Sequence, residues 1–376
     1  MSDASRFDVA VVGGGPAGSA AAAMLGRAGL RVLLADAPDR NGFNVGEGLP
    51  PAAKPLLVEL GVWDRLEGDG HLRSYGTESA WGAAMLASIS YIRDPHGYGW
   101  HLDRARFDAR LRDAARERGV ALESLTMTDL VRQREGWEVT LTAPGRNQIV
   151  RAHWVVDATG RRSRVARANG ITRTNNDHLL AFVATFRAPD ESAATDVDSL
   201  TLVEAMPDGW WYTSRLPSRA RVVVYLTDAQ DVTARTARGR DGFAQLLRHT
   251  THIRTRLAAH DYRNDHDPLV VAADTSRLEH FAGDGWLAVG DAALSFDPLS
   301  SQGLLTAIYS GLRAADALIA SVGGQANALD DYRASLATVY STYLDRKREY
   351  YRMERRWPDR PFWRTRQLEA HAAALQ

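Results

Sequence analysis

The 376-residue sequence predicts an α/β chain with a Rossmann-type dinucleotide-binding domain, an interleaved sheet-based second domain and a C-terminal helical segment. Three observations carry this. The first 36 residues run as strand, glycine turn, helix, strand and acid. Strand-like runs dominate from about residue 170 to 274, and a short buried strand ending in Gly290-Asp291 then restores the first pattern. A chain of this length exceeds one ordinary core, so two interleaved domains are expected.

The N-terminal unit is the most specific. Val9 to Val12 is an apolar run, and Gly13-x-Gly15-x-x-Gly18 follows it and opens an Ala-rich helical stretch ending near Gly29. Gly13 permits a tight turn, Gly15 lets backbone N–H groups approach a pyrophosphate, and Gly18 lets the helix pack close to the strand. The phosphates then face the positive end of a helix. A second run, Arg31 to Ala35, ends at Asp36, whose carboxylate is placed to accept hydrogen bonds from an adenosine ribose.

After a polar loop, Val45-Gly46-Glu47-Gly48-Leu49-Pro50-Pro51 leads into a helix carrying Leu56, Leu57 and Leu60, closed by Gly61. Ser79-Ala80-Trp81-Gly82 and Gly97-Tyr98-Gly99-Trp100-His101 bracket a hairpin or strand pair. Asp103 is a good N-cap and places Arg104 in the first turn of an amphipathic helix with Phe107, Leu111 and Ala115 on one face. Residues 137–142 and 148–156, separated by Pro144-Gly145-Arg146-Asn147, read as a β-hairpin whose second strand ends at Asp157-Ala158-Thr159-Gly160.

In the second domain, residues 179–186, 199–205, 209–214 and 221–227 are strand-like, and one long helix is expected over about 239–260. Residues 286–289 form a buried strand ending in Gly290-Asp291, and a buried helix follows over about 301–319. A last helix, about 329–352, precedes a Trp/Pro/Arg-rich tail expected to pack across the body. The expected boundaries are 1–82, 101–168 and 275–325 for the nucleotide-binding domain, 83–100 and 169–274 for the second, and 326–376 for the helical segment.

Composition excludes several classes. Basic and acidic residues balance at 46 each, which is unlike the basic excess of a nucleic-acid binder. The basic residues include only two lysines, Lys54 and Lys347. With no cysteine there is no disulfide, thiolate metal site or redox dithiol, so redox chemistry must come from a bound cofactor. His249 and His252 sit on a solvated helix and His260, Asp265, His266 and Asp267 in a polar loop, so no metal site is expected. A polar start without a leader, and no apolar stretch of the roughly 18 residues a membrane span requires, predict a cytoplasmic protein without a membrane span.

The N-terminal Gly-x-Gly-x-x-Gly with its acid, the Leu102-Asp103-Arg104 helix start, the Val156-Asp157-Ala158-Thr159-Gly160 turn and Gly290-Asp291…Pro298…Gly303 together resemble the FAD-dependent monooxygenase superfamily, which includes aromatic hydroxylases, flavin-dependent halogenases and geranylgeranyl reductases. The resemblance covers residues 1 to about 325. It implies that Gly13, Gly15, Ala17, Gly18 and Asp36 hold the ADP half of FAD, that Arg104 reaches toward the pyrophosphate and ribityl, that backbone around Met127 borders the adenine, and that Gly290 and Asp291 meet the ribityl chain. A helix starting near Gly303 would aim its positive end at the flavin pyrimidine ring, where negative charge accumulates on reduction.

Within the superfamily, Val45-Gly46-Glu47, Gly99 to Arg104, Gly209-Trp210-Trp211-Tyr212 and Pro361-Phe362-Trp363 resemble the halogenase-like branch. Ser79 to Gly82 resembles its flavoproteins that hydroxylate a tryptophan of a precursor protein to make a quinone cofactor. The resemblance implies a monooxygenase that uses O₂, through a flavin hydroperoxide, to hydroxylate an indole or phenol, free or bound to a peptide or carrier. Glu47, Trp81, Trp100, Trp210 and Trp211 are the candidate pocket residues; no catalytic residue is assigned. NAD(P)H or a partner flavin reductase would supply electrons, since no second dinucleotide fingerprint follows the first. The alternatives are a halogenase, whose family lysine has no counterpart between Leu66 and Gly82, a C=C reductase independent of oxygen, and a flavoprotein that uses FAD only structurally.

Overall fold

The computed structural model describes residues 6–37 and 45–372. The strand Arg6–Val12 lies between two parallel partners, Val32–Ala35 on one side and Arg146–Asp157 on the other; Ala121–Glu123 and Trp286–Ala288 extend the sheet outward in parallel. Parallel strands buried on both faces need apolar side chains throughout, and Val9, Val11, Leu34, Val155 and Val156 are fully buried. On one face the helix Pro16–Arg27 packs against the twenty-residue helix Gly303–Val322. Small residues allow this approach: a Cβ on Gly311 would stand 2.3 Å from the Ala17 carbonyl oxygen.

The second sheet has seven strands, in the order Leu269–Ala272, Leu179–Phe186, Arg221–Asp228, Gly209–Arg215, Thr201–Met206, Gly76–Ala80 and Ala87–Ser90. Side chains alternate across it. Phe182, Trp211 and Tyr225 pack under the helices Arg240–Leu247 and His252–Ala258, whereas Ala181, Trp210, Val222 and Val224 face the other way, toward Tyr351 and Trp363 of the C-terminal segment. That segment, Ala328–Met353 and Pro361–Ala372, ties the two sheets together: Tyr332 donates to the Ala288 carbonyl at 2.6 Å and the Trp363 indole to the Met206 carbonyl at 2.9 Å.

Three expectations are corrected. Gly76–Ala80 belongs to the second sheet, pairing in parallel with residues 201–204, so the first domain does not run unbroken to residue 82. The single helix expected over 239–260 is two helices. The buried carboxylate of Glu204 accepts hydrogen bonds from the backbone N–H groups of Thr251, His252 and Ile253 at 2.6–3.0 Å and so starts a new helix there. Lastly, among the described residues one helix, Gly303–Val322, is long and apolar enough to cross a membrane, with mean hydropathy 1.2. Ten of its residues are buried against the rest of the chain, as expected of a core helix.

Candidate functional site

The glycine turn is built as its spacing implies. Gly13 has φ +110°, and a Cβ there would lie 2.1 Å from the Ala158 carbonyl oxygen; one on Gly18 would lie 1.9 Å from the Gly13 carbonyl. Gly15 differs, because a Cβ on it would meet nothing within 4 Å. It is the N-cap of Pro16–Arg27 and has no side-chain cap, so the first-turn N–H groups are left for something outside the helix. Two cavities meet at Gly15 and Asp36. One, of about 460 Å³, is lined by Arg104, Asp108 and Arg112; the other, of about 190 Å³, by Met127, Thr159, Arg162 and Arg164.

Asp36 accepts a hydrogen bond from the Gly14 N–H at 2.8 Å and stands 3.4 Å from the Arg112 guanidinium. Arg104, in the first turn of the helix that Asp103 caps by accepting from the Arg106 N–H, is anchored: Nη1 donates to the carbonyls of Val45 (2.6 Å) and Gly46 (2.9 Å), and Nε and Nη2 to the Asp108 carboxylate. It therefore lines the first cavity while holding the Val45–Glu47 loop in place. Met127 borders the second cavity, and its carbonyl is fixed by Arg164 at 2.7 Å.

A third cavity, of about 370 Å³, lies between the two sheets. On the nucleotide side it is bounded by Gly46, Glu47, Arg161, Asp291, Asp297 and Gly303, and on the sheet side by Trp210, Tyr212, Val224 and Val271. Gly290 brings its wall close to the first helix: with φ +55°, a Cβ there would stand 2.8 Å from the Ala17 methyl. Asp291 lies 3.6 Å from Arg161, and Gly303 begins the twenty-residue helix, so the positive end of that helix faces the cavity. Together the three cavities suit an extended dinucleotide: a tight glycine cradle, an acid beside it, guanidinium groups along it and a helix N-terminus at the far end.

The candidate aromatic residues separate. Trp210 lines the cavity, and its indole N–H donates to the Tyr351 hydroxyl at 3.1 Å. Trp81 stands behind it, edge-on at 6.2 Å, with its N–H on the Tyr350 carbonyl. Trp211 is on the opposite sheet face, stacked on Tyr225 at 4.5 Å, because adjacent residues of a strand cannot share a face. Trp100 is buried in a separate aromatic cluster with Trp63, Tyr98 and His71. Trp81, Trp100 and Trp211 are thus not among the residues lining this cavity.

Several lining residues were not singled out from sequence. Tyr212 shares the face of Trp210 by the period of two. Arg112 shares that of Arg104 and Asp108 by the helical i, i+4, i+8 spacing. The Arg161-Arg162-Ser163-Arg164 run after a strand end was a usable signal of the same kind.

Glu47 is 6% exposed and accepts a hydrogen bond from Ser214 Oγ at 2.9 Å. Burial pushes its carboxyl up, only partly opposed by that bond and the Arg104 charge. Burial and the nearby Glu47 charge push the Tyr212 phenol well up. Asp297 is also pushed up by burial; it accepts a hydrogen bond from Tyr351 at 2.7 Å and lies 4.0 Å from Lys347.

The sequence matches the profile of the FAD binding domain family over residues 6–347. It is 30% identical over 365 residues to a protein of Marinomonas mediterranea named as an FAD-dependent oxidoreductase, LodB, with 96% of each chain covered. It is 24% identical over 331 residues to a 1H-pyrrole-2-carbonyl-[peptidyl-carrier protein] brominase of Pseudoalteromonas luteoviolacea, covering 86% of this chain and 80% of that one. The fold superposes on the myxobacterial chondrochloren halogenase CndH with a TM-score of 0.83 at 26% identity, covering 99% of this chain and 89% of that one.

Proposed function

The chain belongs to the FAD binding domain family of FAD-dependent oxidoreductases, and from that premise we propose that it oxidises an electron-rich aromatic substrate, an indole, pyrrole or phenol, in the cavity between its two sheets. The observation that carries this is the make-up of that cavity. One wall holds the Gly46-Glu47 loop, Asp291 and the Gly303 helix start, and the facing wall holds Trp210 and Tyr212. FAD, when bound, supplies the redox equivalents for activating O₂. The chain's own part is to hold and orient: Gly13, Gly15 and Asp36 grip the nucleotide, Asp291 meets its ribityl chain, and Trp210 with Val224 and Val271 excludes water from the ring to be oxidised. NAD(P)H or a separate reductase is the proposed electron source. A carrier-bound substrate accords with the pyrrolyl-carrier-protein relative.

Two transfers fit this site. Halogenation has the broader support among relatives, since the brominase and the chondrochloren halogenase both carry halogenating names, and that weighs against the hydroxylation expected from sequence. The chemistry of the cavity favours hydroxylation. A halogenase needs a lysine to take up hypohalous acid, and both lysines are committed elsewhere. Lys54 lies over the Trp63 ring at 4.8 Å, and Lys347 is buried in an ion pair with Asp177, behind Asp297. On geometry we therefore propose hydroxylation, with halogenation as the second reading. Incubating the FAD-loaded protein with a reductant, air, bromide and a panel of aromatic compounds, free and carrier-bound, tests it by mass spectrometry. Gain of one oxygen supports the first reading, and gain of bromine the second; no product from any aromatic would overturn both.

A further inference from the structure

Behind the cavity wall four side chains from four separate segments form one hydrogen-bonded string. His101 Nε2 is 3.0 Å from Thr201 Oγ1, Thr201 Oγ1 is 3.4 Å from Ser214 Oγ, and Ser214 Oγ is 2.9 Å from Glu47 Oε1. His101, Ser214 and Glu47 are buried, and Glu47 and Thr201 line the cavity. Glu47 also lines a second space of about 200 Å³ on its other side, bounded by Arg104, Arg187, Leu216 and Ser218. One carboxyl thus touches both the aromatic cavity and a separate, more polar pocket.

We propose that Glu47 is the acid–base residue of the cavity, taking a proton from the hydroxyl or ring N–H of the aromatic substrate, and that Ser214, Thr201 and His101 orient its carboxylate for that transfer. This rests on the aromatic-oxidation reading above. In the step, the substrate O–H or N–H bond breaks, its electron pair stays on the heteroatom and enriches the ring, and a new O–H bond forms on Glu47. The proton then passes to water in the second pocket, which is large enough to hold it.

Only the last link, Ser214 to Glu47, has a fixed donor, and the other two can follow its direction. Burial holds His101 down at about 4, so at neutral pH its ring is uncharged. With the proton on Nε2, it donates to Thr201, Thr201 donates to Ser214, and Ser214 donates to Glu47. Every hydrogen then points toward the carboxylate and favours its charged form. The surroundings set the balance. Arg104 favours the ionised carboxylate, and Tyr212 adds an uncharged phenol. Arg161, Asp291 and Asp297 stand at other points of the cavity wall. Asp198 and Arg221 act on His101 with opposite sign. Burial is the largest influence on Glu47 and raises its pKa above the usual carboxylate range, the direction that strengthens a carboxylate as a general base.

The test uses the full FAD-loaded chain. Wild-type kcat/KM for a phenol or indole is expected to rise with pH along a single ionisation above the ordinary carboxylate range. Glu47→Gln, with FAD still bound, should lose that limb and roughly 100-fold or more of kcat. Ser214→Ala removes a donor to the charged form, so it should move the limb to higher pH, and Thr201→Val should move it less. An infrared difference titration of the carboxyl band gives the same answer without turnover: a band titrating above the ordinary range, absent in Glu47→Gln and shifted up in Ser214→Ala. If Glu47→Gln retains the limb and acts within threefold of wild type, or if the band titrates in the ordinary range, the proposal is wrong. Failure of every aromatic compound to turn over would sink the reading it rests on, and the infrared titration then decides the role of Glu47 alone. If Glu47→Gln does not fold, Glu47→Asp replaces it, with a displaced limb expected and an unmoved one counting against.

Discussion

The carboxylate of Asp36 accepts a hydrogen bond from the backbone N–H of Gly14 at 2.8 Å, across 22 residues of sequence. That bond fixes the end of the second strand against the glycine turn and leaves the other carboxylate oxygen beside Arg112. Acid and turn are therefore held together as one structural unit.

The first prediction follows. A side chain at Gly15 would project into the space where the first two cavities meet, so, if they hold the nucleotide as proposed, Gly15→Val should abolish FAD binding without unfolding the protein. Asp36→Ala loses charge-assisted hydrogen bonds of about 1.5–3 kcal/mol, so affinity should fall by roughly 10- to 100-fold. Equilibrium titration of apoprotein by flavin fluorescence measures both, and unchanged affinity in Gly15→Val would remove the cofactor assignment.

The second prediction separates two adjacent tryptophans. Trp210 faces the cavity and Trp211 the opposite core, so their variants should fail differently. Trp210→Phe should raise KM for an aromatic substrate severalfold, with a smaller loss of stability because an aromatic ring is kept. Trp211→Ala empties a site packed by Tyr225 and Phe243, 4.5 and 5.0 Å away, and should cost about 3–5 kcal/mol in denaturant unfolding. Equal effects on KM from both would place the substrate elsewhere.

These contrasts mark what the sequence could carry. Local patterns were legible: the fingerprint and Asp36, the Asp103 cap, the hairpin over 137–156 and the strands of the second domain all follow from neighbours a few residues apart. The period of two was enough to separate Trp210 from Trp211, although both stood as candidates for the pocket. Long-range partners were not legible. Glu204 breaks a helix 47 residues downstream, Gly76–Ala80 finds its parallel partner more than 120 residues away, and the Trp210–Tyr351–Asp297 string joins three distant segments. No periodicity encodes such contacts, because they exist only once the tertiary fold brings the segments together.

The third prediction concerns Lys347. Its ammonium pairs with Asp177, donates to Thr275 at 2.8 Å and holds the Asp177 carboxyl below its usual range against the opposing effect of burial. A carboxyl lowered in the folded state contributes stability above its unfolded pKa, and that contribution is lost as pH falls through the folded value. Lys347→Met leaves Asp177 buried without its cation and should destabilise the protein by about 3–5 kcal/mol at pH 7. The loss should shrink on acidification below about pH 4, where the unfolded carboxyl takes up its proton. Urea unfolding across pH measures this, and a pH-independent difference would show that the pair is not its source.

The fourth prediction decides where the oxidising equivalent goes. FAD binding cannot separate the candidate reactions, since hydroxylation, halogenation and C=C reduction all use the reduced cofactor. The lysines separate them. Hypohalous acid needs an amine within the cavity, whereas Lys347 is held by Asp177 and Thr275 behind Asp297, and Lys54 lies over Trp63. Reduction of a C=C bond needs no oxygen. We therefore expect turnover to consume O₂, label from ¹⁸O₂ to appear in the product, and bromide or chloride to change neither product identity nor yield. Brominated product would establish the reading its halogenase relatives favour and would require Lys347 or another side chain to reach the cavity. Equal yield under strict anaerobiosis from pre-reduced enzyme would instead mean that the aromatic cavity delivers hydride, and that Glu47 serves as a proton donor rather than a base.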